Sequence, residues 1–144
     1  ESGIRPEDLE LEITEVIALD DITYSIDTIS QLKDLGIKFS LDDFGTGYSS
    51  LNYIKQLSLD IIKVDQTFIK DITQDDYARA FLKLVSDLSK TIGVVVCVEG
   101  VENKEQKELL KQMDIELIQG YYYGMPMPAE KFEKKFLHIS KLQK

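Results

Sequence analysis

Residues able to do chemistry recur at the ends of short apolar runs in this 144-residue chain. They are Glu12 and Glu15 in "LELEITE", Asp42 and Asp43 in "SLDDFGTGYSSL", Lys63 and Asp65 in "IIKVD", Glu99 and Glu102 in "VEGVEN", and Gln119 in "LIQG". Taken singly, an acid in such a place is most often a helix cap or a solvated loop residue. Acids gathered on one rim repel one another, and need protons, basic groups or metal ions to compensate them. Carboxylate and amide oxygens are hard ligands, so Mg²⁺ or Mn²⁺ suits this set better than zinc. Neighbours on a regular strand point to opposite faces, so Asp42 and Asp43 can share a site only where the strand ends and the backbone bends. Gly45 and Gly47 supply that freedom. One carboxylate could then bridge two metals while the other holds the second ion. Two ions about 3.5 to 4 Å apart clamp a phosphodiester for in-line attack.

The elements that must position these residues alternate. Five runs rich in Val and Ile read as short buried strands: Leu9 to Thr14, Ile37 to Phe44, Asp60 to Asp65, Val94 to Val101 and Ile115 to Tyr123. Between them lie helical periods. Ile22, Ile26, Ile29, Leu32 and Leu35 fall on one face before Gly36, and Tyr77, Phe81, Leu84, Val85 and Leu88 do so before Gly93. A third helix starts at Asn103, which can cap while Gln106 reaches back, and runs through Leu109, Leu110 and Met113. A shorter candidate, "SSLNYIKQL", follows the glycine loop, and "AEKFEKKFLHISKL" closes the chain. Strands alternating with helices imply a parallel sheet with helical crossovers, an α/β class, whose functional rim is built at the carboxyl ends of the strands.

Composition bounds the rest. With 43% hydrophobic residues, seven Tyr and six Phe, the chain can fill a core. A net charge of -9 argues against electrostatic binding to bulk nucleic acid or an anionic membrane, although bound cations could still bring in a small phosphorylated ligand. Cys97 is the single cysteine, inside an apolar run, so no internal disulfide forms and a reducing, cytoplasmic setting is favoured. No apolar run approaches the ~20 residues that span a bilayer, so this piece is expected to be soluble, with a membrane anchor possible elsewhere in a parent chain. The lone histidine, His138, reads as a surface or packing residue of the last helix rather than a ligand.

Five motifs in order, "LELEITE", "DDFGTGYSSL", "IIKVDQTFI", "VEGVEN" and "IQGYYYGMPMP", resemble the EAL domain, the cyclic di-GMP phosphodiesterase module of bacterial signalling proteins. The resemblance implies a TIM-barrel-like (β/α)₈ fold with one antiparallel strand, and hydrolysis of cyclic di-GMP to linear pGpG with Mg²⁺ or Mn²⁺. Carried over motif by motif, Glu12 ligates the first metal, Asp42 lies close to both, and Asp43 belongs to the second. Glu99 completes the shell of the second metal or takes a proton, and Lys63 positions the attacking water and offsets developing charge. Gln119 holds a water on the metal, Asp65 orients its neighbours, and Glu15 tethers the "DFGTGYSS" loop. "KVDQTF" and "VEGVEN" depart from the family's usual "KIDRSF" and "AEGVET" without touching a ligand, although Gln66 in place of arginine removes a contact to phosphate or guanine.

A (β/α)₈ barrel needs at least about 200 residues. Five strands account for about five of the eight β/α units, and neither the "EAL" tripeptide nor the family's upstream asparagine motif is present. Residues 1–144 are therefore expected to be the C-terminal part of a single EAL domain, with first-metal ligands incomplete. The parent would be a cyclic-guanylate-specific phosphodiesterase with upstream regulatory or GGDEF-type domains. The isolated piece would be weak or inactive, with open barrel edges that favour a homodimer. Two other readings compete. One is a degenerate EAL domain that holds cyclic di-GMP without cutting it. The other is a phospho-acceptor receiver domain, disfavoured because its lysine belongs on the last strand and Lys63 follows "DD" by one.

Overall fold

The computed structural model describes residues 3–47 and 51–137. Its strands are β1 (Glu10–Thr14), β2 (Lys38–Phe44), β3 (Ile61–Val64), β4 (Val95–Val98) and β5 (Leu117–Ile118). They form one sheet in sequence order, β1-β2-β3-β4-β5, and every pairing is parallel. The crossovers carry α1 (Glu15–Asp20), α2 (Ile22–Lys33), α3 (Leu51–Gln56), α4 (Asp76–Ile92) and α5 (Lys104–Gln112), and α6 (Ala129–Phe132) follows β5. The α/β class and the succession of β/α units expected from the sequence are present.

Alternation sets the two faces of the sheet. Phe39, Leu41, Ile62, Val64, Val96 and Val98 are buried among Ile29, Leu82, Val85 and Leu110 of the helices, so this face makes the core. The opposite face carries Glu12, Ser40, Asp42, Lys63 and Cys97, by the register Glu12 to Ser40 to Ile61 and Lys63 to Cys97. Period-2 alternation thus separates packing from chemistry on each strand.

The helices start and stop for local reasons. Asp75 accepts from Tyr77 N and Ala78 N to open α4, and Gly93 closes it at φ 74°, the left-handed cap that glycine takes without a Cβ penalty. Asn103 and Gln106 form the expected capping box of α5. Some expected elements differ. A separate short helix, α1, precedes α2, because Asp21 interrupts the run and caps the second helix through Tyr24 N. The buried residues of α4 are Ala78, Leu82, Val85, Ser86 and Ser89, while Tyr77 and Leu84 stay exposed. The expected stripe through those two residues lies about one residue off, because small residues face the sheet. The strand expected over Ile115 to Tyr123 shrinks to Leu117–Ile118, paired on one side only, and the closing helix passes into a π-helical turn at Glu133–Leu137. Tyr48, Ser49, Ser50 and His138 lie outside the described residues. Among the described residues no helix is long and apolar enough to cross a membrane.

Candidate active site

Lys63 sits at the centre of the rim. Strand β3 places its side chain opposite Cys97, only 8% exposed, and its Nζ reaches Glu12 Oε1 at 2.7 Å, Glu99 Oε1 at 2.9 Å and Asp42 Oδ1 at 3.3 Å. These acids come from three segments: β1, β2 and the turn after β4. Burial is the largest single influence on the ammonium and would lower its pKa, but the hydrogen bonds from Glu12 and Glu99, the Glu99 charge and Asp42 together outweigh it. Lys63 is held above the usual lysine value and stays protonated. Asp42 Oδ1 is buried, and its one contact among the described residues is the Lys63 ammonium at 3.3 Å.

Asp42 and Asp43 are separated by a bulge. Leu41 pairs with Ile62 and Phe44 with Val64, so two β2 residues oppose Lys63 alone. Asp43 takes up the extra residue at φ 56°, a left-handed conformation that aspartate tolerates, and is exposed. The bend expected at Gly45 and Gly47 therefore falls at Asp43 itself, inside the strand. The glycines serve close approach instead. A Cβ on Gly45 would stand 2.7 Å from Phe68, which stacks on Phe81, and one on Gly47 would stand 2.9 Å from Glu15 Oε1.

Glu15, at the start of α1, is 5% exposed; its Oε2 accepts from Gly45 N at 3.5 Å, and its Oε1 has no partner among the described residues. Asp65 caps the 3-10 turn Gln66–Phe68 by accepting from Thr67 N at 2.9 Å. Glu102 is exposed, and Gln119 is exposed beside Glu99 in a cleft of about 210 Å³ that Gln66 and Tyr121 also line. The structure therefore brings Glu12, Asp42 and Glu99 together on Lys63. It leaves Asp43, Glu102 and Gln119 at the solvent side, and holds Asp65 and Glu15 in neighbouring turns. Among the described residues no three of Asp, Glu, His or Cys converge as a ready-made metal group.

Three residues support the rim in ways that sequence reasoning missed. Gln106, 5% exposed, accepts from Glu102 N and Asn103 N and donates to Ile69 O at 3.1 Å, so it ties the turn after β4 to the turn after β3. A Cβ on Gly100 would lie 2.5 Å from Gln66 Cβ, and one on Gly120 would lie 2.1 Å from Val101 O. The capping-box spacing pointed to Gln106 as a cap, but its reach to Ile69, 37 residues away, leaves no local signal.

Parallel β/α units with acids and a lysine at the carboxyl ends of the strands are those of a TIM-barrel-like α/β protein. Residues 1–126 match the EAL domain model, and the chain belongs to the EAL domain family. It is 38% identical over 128 residues to the bifunctional diguanylate cyclase/cyclic di-GMP phosphodiesterase MucR of Pseudomonas aeruginosa, an alignment covering 89% of this chain and 19% of MucR. The structure of the PaMucR phosphodiesterase in its c-di-GMP complex is similar with a TM-score of 0.86 and 38% identity, over 90% of this chain and 53% of that one. The manganese/cy-diGMP complex of Klebsiella pneumoniae BlrP1 is similar with a TM-score of 0.79 and 32% identity, over 83% of this chain and 31% of that one. The chain spans 16 to 19% of the length of the curated relatives it matches.

Proposed function

We propose that this chain supplies the C-terminal β/α units of a metal-dependent EAL phosphodiesterase that hydrolyses cyclic di-GMP to linear pGpG in bacterial second-messenger signalling. The observation that carries the reading is the rim itself: one buried ammonium against three carboxylates, with the longest of the three contacts at the buried Asp42 Oδ1. Cyclic di-GMP comes from the complexes of PaMucR and BlrP1, and a divalent cation from the manganese complex of BlrP1.

The donors fit a hard divalent cation in kind, and Asp42 Oδ1, buried with only the longer contact to Lys63 among the described residues, fits one in particular. In number they are incomplete, since Lys63 stands where three acids meet. In this reading Glu12, Asp42, Asp43 and Glu99 hold Mg²⁺ or Mn²⁺. Bound there, such ions polarise a phosphoryl oxygen and make water a better nucleophile near neutral pH. Lys63, which donates to Glu99 Oε1, brings positive charge to the phosphate, and Glu99 either completes the second metal's shell or takes the proton of the attacking water. Water adds across one phosphodiester bond and opens the ring. Gln119 orients water beside Glu99, Asp65 sets the turn after Lys63, and Glu15 holds the Gly45–Gly47 backbone. The buried, free Cys97 accords with a cytoplasmic setting.

A second reading, a receptor that binds cyclic di-GMP uncut, is favoured by Lys63 taking the place of a metal among the acids. It applies above all to the 144 residues by themselves. Calorimetric titration with cyclic di-GMP, paired with chromatography of the products, separates the two. Release of pGpG that depends on Mg²⁺ or Mn²⁺ supports the hydrolase; tight binding with intact nucleotide recovered supports the receptor and overturns it.

A further inference from the structure

The oxygens within reach of Lys63 Nζ, those of Glu12, Glu99 and Asp42, are the ones the preceding reading gives to the metals. An inference about their occupancy therefore rests on that reading for the identity of the cation. A divalent ion and the ammonium draw on the same carboxylates. In a site where Lys63 is only 8% exposed, the repulsion between them is less screened than at the surface. Both cannot hold Glu12 Oε1, Glu99 Oε1 and Asp42 Oδ1 together at full strength.

We propose that Lys63 is a built-in competitor for the metal: the cation loads by exchange, taking at least one carboxylate from the ammonium, and Lys63 thereby sets the metal affinity of the rim. Three features of the chain suit it to that part. The backbone of Lys63 is fixed in β3 between the buried Ile62 and Val64, while its head is a point charge on a four-carbon stem that can turn from one acid to another. Its partners differ in depth, with the Glu12 side chain 50% exposed and those of Asp42 and Glu99 24% and 19% exposed, so one carboxylate can be released toward solvent while the others stay paired. With the ammonium in place the metal-free rim carries a counter-charge of its own, which lets like-charged acids stand together without an ion.

The test is Mn²⁺ titration of the full chain, read by calorimetry and by the electron-spin signal of free Mn²⁺. Lys63→Met is expected to bind Mn²⁺ about tenfold or more tightly than the unaltered chain, a gap of about 1.4 kcal/mol or more. Lys63→Arg, which keeps the charge, is expected to stay within about threefold. Unaltered affinity in Lys63→Met, or weaker binding, overturns the proposal. A second measurement needs no variant: amine labelling of Lys63, followed by mass spectrometry, should rise when Mn²⁺ saturates the unaltered chain. Labelling that does not change with Mn²⁺ also overturns it. Because both readouts follow the metal and not turnover, they fail separately from the hydrolase reading. Tightened Mn²⁺ binding by Lys63→Met, with cyclic di-GMP left uncut by the full-length protein, refutes that reading alone.

Discussion

Lys33 and Lys63 both bring a part-buried ammonium to the sheet, at opposite ends of β3. At the amino end Lys33 Nζ donates to Ser58 O at 2.6 Å and to Asp60 Oδ1 at 2.7 Å, while Asp60 Oδ2 accepts from Phe39 N at 2.8 Å. One cation meets one carboxylate, and both carboxylate oxygens are engaged. At the carboxyl end one cation meets three carboxylates, and Asp42 Oδ1 is buried without a hydrogen bond. The first arrangement is closed and serves to fix β2 against β3. The second carries surplus negative charge, which costs stability unless something else is bound. The contrast separates a structural ion pair from a site within one short strand.

The largest expected effect lies at the open end. In the full-length protein, Asp42→Asn should lower hydrolysis of cyclic di-GMP by about a thousandfold or more, measured by chromatography of pGpG, because it removes the negative charge with which this carboxylate would hold a divalent cation. Activity within tenfold of the unaltered protein would erase the distinction between the two ends. Next comes the backbone that supports Glu99. Gly100→Ala puts a Cβ 2.5 Å from Gln66 at φ 76°, and should destabilise the chain by about 2 kcal/mol in urea titration, with activity falling further than that loss explains. A smaller, purely structural effect belongs at the closed end. Asp60→Asn should cost about 1 kcal/mol, since the pair is about a third exposed and screened, and should leave turnover per folded molecule unchanged.

Cys97 sharpens the comparison from the inner face. Burial, then the Glu99 charge, pushes its thiol up to about 11. The protonated thiol is thus favoured by folding, so its contribution to stability is complete below the ordinary thiol range and is lost as pH rises from about 9 to about 11. Alkylation by iodoacetamide should be slow at pH 7.5 and rise with pH across that window. Fast labelling at pH 7.5 would mean that the inner face is open to water and that the rim is less desolvated than its geometry implies.

Much of the fold was legible because its signals are local. The capping box at Asn103 and Gln106, the stop at Gly93 and the buried Val and Ile runs each depend on residues a few positions apart. The rim was legible as a set of residue types, since Glu12, Asp42 and Lys63 lie in the carboxyl-terminal parts of apolar runs and Glu99 follows one. What the sequence did not disclose is geometry fixed by contacts across the fold. The bulge that turns Asp43 to solvent depends on pairing with β3, and the stripe of α4 shifted because Ala78 and Ser89 fit closer to the sheet than Tyr77 or Leu84 could. Convergence of three acids on one ammonium depends on the register of four strands, which no single stretch encodes.

The most direct test of the division between the two ends is a paired urea denaturation of Asp42→Asn and Asp60→Asn at pH 7.5. Removing the surplus charge at the carboxyl end should leave stability unchanged or raise it by up to about 1 kcal/mol, while Asp60→Asn should lower it by about as much. Equal destabilisation by both substitutions would contradict the account, since Asp42 would then be part of the same structural bonding that holds Asp60.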